Sequence, residues 1–131
     1  MMMEDEMKAL AKTFFDSVEA GDIDGLVACY APNAKIWHNT DQQEQTPEDN
    51  RQTLAGMVTR ISERVYADRR IDVFPEGFVQ QHVLHGTRIQ DGERLSLPAC
   101  VICRVENGKI TRLDEYFDSA HVAQFRKFAD S

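Results

Sequence analysis

Met7, Leu10, Phe14 and Val18, with Ala11 and Phe15 beside them, recur along the first stretch of the chain. That three- and four-residue spacing gathers them on one face of a helix. Ala20-Gly21-Asp22 follows, a glycine suited to a C-terminal cap and then an aspartate suited to the next N-cap. A second helix is expected over 22–30, with Ile23, Leu26, Val27 and Tyr30 on one side and Pro32-Asn33 as its stop. From Ala34 to Asn39 the period becomes two: Ala34, Ile36 and His38 share one face of a short strand, Lys35 and Trp37 the other.

The stretch D-Q-Q-E-Q-T-P-E-D-N is polar and turn-forming, and 40–46 is a candidate lid over a ligand site. Thr46 reads as an N-cap with Pro47 at the first helical position, opening a third helix that ends near Arg60 or Ile61. From Val65 the pattern turns to strands, expected over 65–74, 78–89, 94–105 and 109–118. Pro75-Glu76-Gly77, Gln90-Asp91-Gly92 and Glu106-Asn107-Gly108 supply the turns between them. His121 to Ala129 closes the chain as a short helix or tail. Helices first and an antiparallel meander after them describe an α+β fold, with residues 1–131 as one domain.

Composition narrows the function. The 131 residues are 42% hydrophobic and 28% charged, ordinary for a soluble globular protein. A net charge of −7 argues against nucleic acid and against a polybasic membrane contact. No apolar run approaches the roughly 20 residues that span a bilayer. The acidic start M-M-M-E-D-E-M-K is unlike a signal peptide, so a cytoplasmic protein is expected. Cys100 and Cys103 have redox or zinc spacing but lie three apart on an expected strand, where their sulfurs point to opposite faces. With Cys29 they are expected to be structural thiols, and no metal site is expected.

Few side chains are placed for chemistry. In I-T-R-L-D-E-Y-F-D, Thr111, Leu113, Glu115 and Phe117 share a face, and Ile110, Arg112, Asp114, Tyr116 and Asp118 the other. The two large apolar neighbours make the Glu115 face the better core candidate, where the carboxylate would be desolvated. The alternative is a surface glutamate on a sheet whose Tyr116 face is buried. On the preceding strand Leu95, Leu97, Ala99, Val101, Cys103 and Val105 form an unbroken apolar face that offers no acid or base. His38 shares its face with Ile36 and is either a proton-transfer group or a bonded core histidine. His82 and His85 lie on opposite faces of one strand, and alternation leaves open which turns inward.

With those residues in view, A-G-D-I-D-G-L-V-A-C-Y-A-P-N-A-K-I-W-H-N and E-N-G-K-I-T-R-L-D-E-Y-F-D resemble the NTF2-like superfamily, in its SnoaL-like and ketosteroid-isomerase-like branch. The resemblance runs from about Met7 to Asp118. It implies an α+β roll of the NTF2-like (cystatin-like) kind, a cone of curved antiparallel sheet wrapped around the N-terminal helices. It also implies a deep apolar pocket open at one end and a homodimer formed through the outer sheet face. His38 stands where the isomerases carry an aspartate base, Phe14 where they carry an oxyanion-binding tyrosine, and Val101 near their second oxyanion donor. Tyr30 matches a supporting tyrosine. The steroid isomerase machinery is thus largely missing.

The resemblance and the alternation together predict a cofactor-independent enzyme using acid/base proton transfer, of isomerase, cyclase, dehydratase or hydrolase type. Its substrate would be a small apolar or amphipathic molecule. His38 and Glu115 are the expected catalytic pair, and Phe14, Tyr30, Ile36, His82, Val101, Leu113 and Phe117 the expected ligand contacts. The rivals are a non-catalytic ligand-binding module and a dimerisation scaffold, since this fold hosts many functions.

Overall fold

Helix α1 (Glu4–Ala20) buries Met7, Ala11, Phe14, Phe15 and Val18 and ends at Gly21, whose φ of +74° is open to glycine at little cost. The structure, a computed structural model, describes residues 3–129. The four outermost positions of the expected 1–131 domain (1, 2, 130 and 131) lie outside the described residues.

Helix α2 is shorter than expected. It spans Ile23–Val27, capped by the Asp22 carboxylate, which accepts from the Gly25 N–H at 2.9 Å. Tyr30 belongs instead to strand β1 (Tyr30–His38), so Pro32 and Asn33 do not stop a helix. They sit, exposed, where the pairing register shifts between Tyr30 and Lys35. A ladder already interrupted has no use for the N–H that proline lacks.

The expected lid is partly sheet. Glu44 and Gln45 form β2, antiparallel to β1, and then the capping box of Thr46 and Asp49 starts α3 (Pro47–Arg60). Strand β3 begins at Ile61 rather than Val65 and runs to Phe74, with Glu63 and Asp68 at positive φ where its register shifts. Strands β4 (Gly77–Arg88), β5 (Arg94–Glu106) and β6 (Lys109–Phe117) follow, and α4 (Ser119–Arg126) starts two residues earlier than expected.

The six strands run in the order β2-β1-β6-β5-β4-β3 in an open sheet. It is mixed, not wholly antiparallel as the resemblance implied, because β1 pairs in parallel with β6. The long crossover through α3 and the meander makes that parallel pairing possible. The inner face of the curved sheet holds α1 and most of the core, including Ile36, Phe78, Val101, Cys103, Ile110 and Leu113. Thr111 is not the inward residue at the start of β6. A register shift between Arg104 and Val105 puts Ile110 inside instead, and inward alternation resumes at Leu113.

A second cluster of Ile61, Leu84, Leu95, Leu97 and Phe125 seats α4. The buried Arg88 ties that helix down, donating to the Gln124 carbonyl at 2.9 Å and pairing with Asp91 at 2.7 Å.

Candidate functional site

Sheet pairing brings the inward groups into rows. His38 on β1 lies beside Glu115 on β6, Glu115 beside Val101 on β5, and Val101 beside Gln80 on β4. The next row holds Phe117, Ala99 and His82. Each is a consequence of alternation: residues two apart share a face, and register carries that face from strand to strand.

His38 Nε2 stands 3.4 Å from Glu115 Oε1, with the two side chains 15% and 19% exposed. The imidazole lies parallel to the Phe117 ring, centroids 5.7 Å apart. Asn39 fixes this corner. Its amide nitrogen donates to the Phe117 carbonyl at 3.1 Å, and its amide oxygen accepts from the Phe117 N–H at 3.0 Å. Burial alone would pull the His38 pKa down. The Glu115 carboxylate beside it, and Asp41 further off, outweigh burial and raise it above its ordinary 6.5.

A cavity of about 40 Å³ opens between Phe14, Phe15, Tyr30, Ile36, His38, Asn50, Leu54, Tyr66, Val101, Leu113 and Glu115, with Val18 also on its wall. This is not the deep open pocket that the resemblance implied. The aromatic rings of α1 fill the cone: Phe14 packs edge-on against Phe15 and Tyr30, and Phe15 against Tyr66. The remaining space is on the scale of one or two waters.

Two phenols reach it. Tyr30 donates to Asn50 Oδ1 at 2.9 Å, and the Asn50 amide donates in turn to Gln45 Oε1 at 3.3 Å. Burial pushes the Tyr30 and Tyr66 phenols up, with the Glu115 charge adding to it, so both stay protonated and available as donors.

Of the expected ligand contacts, Phe14, Tyr30, Ile36, Val101 and Leu113 line the cavity, as do His38 and Glu115. Phe117 supports His38 from behind. His82, 4% exposed, turns inward while His85 lies on the other face, bonded through Nδ1 to Ser96 Oγ at 2.9 Å. His82 stands behind the wall formed by Tyr66 and Phe15, its ring 4.6 and 5.0 Å from theirs. Its Nδ1 meets Gln80 Nε2 at 3.0 Å, and its Nε2 is buried with no hydrogen-bond partner among the described residues. An unsatisfied buried polar group costs about 1–3 kcal/mol.

Sequence reasoning passed over Asn50 and Tyr66. Asn50 stands four residues before Leu54 and seven before Met57, a helix face on which an apolar side chain is the rule. That polar interruption was a legible signal.

Elsewhere the chemistry is structural. Asp114 and Arg112 point outward, where Arg112 pairs with Asp114 at 3.0 Å and with Glu44 at 2.7 Å. Cys103 is buried inside and Cys100 half-buried on the opposite face, both free, as is buried Cys29. Among the described residues no group of three or more His, Cys, Asp or Glu side chains is placed to hold a metal, and no helix is long and apolar enough to cross a membrane.

A family model described as SnoaL-like domain matches residues 11–113. The chain belongs to the SnoaL-like family. No curated protein sequence matches it. Solved structures do. A candidate polyketide cyclase from Xanthomonas campestris pv. campestris is 20% identical, covering 92% of this SnoaL-like chain and 97% of its own, with a TM-score of 0.81. AclR, a candidate hydroxylase from Streptomyces galilaeus, is 14% identical over 95% and 98%, with a TM-score of 0.83. A protein of ketosteroid-isomerase-like fold from Catenulispora acidiphila, solved with trimethylamine, is 14% identical over 93% and 95%, with a TM-score of 0.77. At such identities the likeness shows the NTF2-like α+β cone and leaves the chemistry to the site.

Proposed function

We propose that this SnoaL-like chain is a cofactor-independent enzyme that moves a proton on a small, mostly apolar molecule bearing a carbonyl, hydroxyl or epoxide. The observation that carries the proposal is the His38–Glu115 contact of 3.4 Å on the wall of an otherwise mostly apolar cavity. A pair that shares one proton at that distance can deliver it to one atom of a substrate and remove one from another. With its pKa raised, His38 keeps its proton to higher pH than a free imidazole does and is assigned as the acid of the pair. Glu115 orients the ring, stabilises its charge and receives the proton on the return step. Tyr30 supplies a hydrogen bond to an oxygen that gains charge, exchanging Asn50 for the ligand. The likeness to a candidate polyketide cyclase is consistent with a carbonyl substrate.

The test uses a probe rather than the natural substrate. Hydrogen–deuterium exchange at the carbon next to the carbonyl of 1-indanone, followed by proton NMR in D₂O, reports proton transfer whatever the physiological reaction. Exchange above the buffer rate that His38→Ala abolishes supports the proposal. Exchange that survives His38→Ala and Glu115→Gln overturns it.

A second reading, a dimerisation scaffold with a vestigial pocket, is favoured by the 40 Å³ volume, which suits water rather than a ligand. It expects 1-indanone neither to bind nor to exchange its protons above the buffer rate. The partner we propose is a second copy of the chain, seated on the outer sheet face, where Tyr116 packs edge-on against Trp37 beside half-buried Val83 and Cys100. Sedimentation at increasing concentration checks it.

A further inference from the structure

We infer that His82 is a ligand-anchoring residue, whose Nε2–H donates to a neutral carbonyl oxygen at the end of the pocket away from His38. The inference rests on the proposed function, because it supplies a second contact for the same ligand.

An amide nitrogen only donates, so with Gln80 Nε2 at 3.0 Å the His82 Nδ1 must accept, and the ring proton sits on Nε2. That N–H is buried and unpartnered among the described residues. Its ring packs edge-on against Phe15 and Tyr66, which line the cavity holding His38 and Glu115, and it also borders an outer groove with Asp68, Arg69 and Pro98. Joining His82 to that cavity requires those rings to turn aside. The enlarged space would have a flat aromatic box at one end and the proton-transfer pair at the other.

The chemistry of the occupant follows. It must accept one hydrogen bond and stack against aromatic rings, so it is a planar apolar body carrying an oxygen. It must be neutral. Glu115 places negative charge within reach of His82, and the nearby cation, Arg69, is already paired with Asp16 at 2.8 Å and Glu19 at 3.0 Å. A carboxylate would meet repulsion without a free partner. Burial lowers the His82 pKa, which keeps the ring in the neutral form that such a donor requires.

The experiment is a titration of ¹⁵N-histidine-labelled protein with 1-indanone, reading the ring nitrogens of His38 and His82 separately. A change at His82 Nε2 together with His38 is expected. A change at His38 alone overturns the anchor and leaves the proton-transfer reading standing. A change at His82 alone supports the anchor against that reading, and no change at either sinks both. The folded His82→Phe variant, which keeps an aromatic ring there, is expected to bind 1-indanone about tenfold more weakly. Unchanged affinity with a lowered Tm would mean that the N–H serves only the aromatic packing, and overturns the inference. Should that variant not fold, the titration of the unmodified protein decides.

Discussion

His38 and His82 turn inward from the same sheet, on β1 and β4, and their surroundings push their protons in opposite directions. His38 keeps a carboxylate at 3.4 Å and remains 15% exposed. His82 keeps an amide at 3.0 Å and is 4% exposed, with aromatic rings where His38 has charge. Burial lowers both and the Glu115 charge raises both, but only at His38, where the carboxylate stands at 3.4 Å, does that charge outweigh desolvation. One end of the cone is arranged to hold a proton and the other to stay neutral.

The sharpest way to break this contrast is Glu115→Gln. It turns the His38 environment into one like that of His82, so the His38 pKa should fall below its ordinary 6.5 as burial takes over. Proton exchange on the probe should drop about 10²–10⁴-fold, the usual range for a general acid or base. NMR titration of His38 and the exchange rate read the two effects together.

Next in size is Phe15→Ala, which removes the wall between the two histidines. Phe15 is 2% exposed and touches Phe14, Tyr66 and His82. A loss of about 3–5 kcal/mol is expected from urea denaturation. Asn50→Leu leaves the Tyr30 hydroxyl without its acceptor and should cost about 1–3 kcal/mol by the same measurement.

The smallest effect is in the pH dependence of stability. His38, with its folded pKa raised, contributes stability that is full below about 6.5 and is lost as pH rises through the raised value. His82, with its folded pKa lowered, contributes stability that is full above about 6.5 and is lost as pH falls through the lowered value. Together they place a maximum near pH 6.5. His38→Gln should flatten the alkaline side and His82→Phe the acid side in Tm measured from pH 5 to 8. Slopes that do not respond to these variants would refute the opposite shifts.

Local patterns carried much of this architecture. The capping signal at Thr46-Pro47 fixed the start of α3, and the turns at Gln90-Asp91-Gly92 and Glu106-Asn107-Gly108 fixed the meander. Alternation put Leu113, Glu115 and Phe117 on one face, and the structure turns Glu115 toward His38. What depended on distant pairing was not legible. Pro32 read as a helix stop because nothing local announces a register shift, and the parallel rung between β1 and β6 joins residues about 80 apart. The inward choice between His82 and His85 needed the partner strand. The filled cone needed the packing of Phe14 and Phe15 against Tyr30 and Tyr66, which no single segment encodes.

Asn39 has a consequence for how this molecule could change over time. Its side-chain amide imitates one more peptide unit of β1, closing a two-way bridge to Phe117 after the strand has ended. The aim of His38 is thereby tied to the sheet beside the segment that follows. Residues 40–43 reach back to His38 through the Gln42 N–H, which donates to its carbonyl at 2.8 Å, and through the Asp41 charge, so changes there that keep those two links leave the imidazole its direction. A site anchored in this manner can acquire new molecular preferences at its rim without dismantling what lies at its centre.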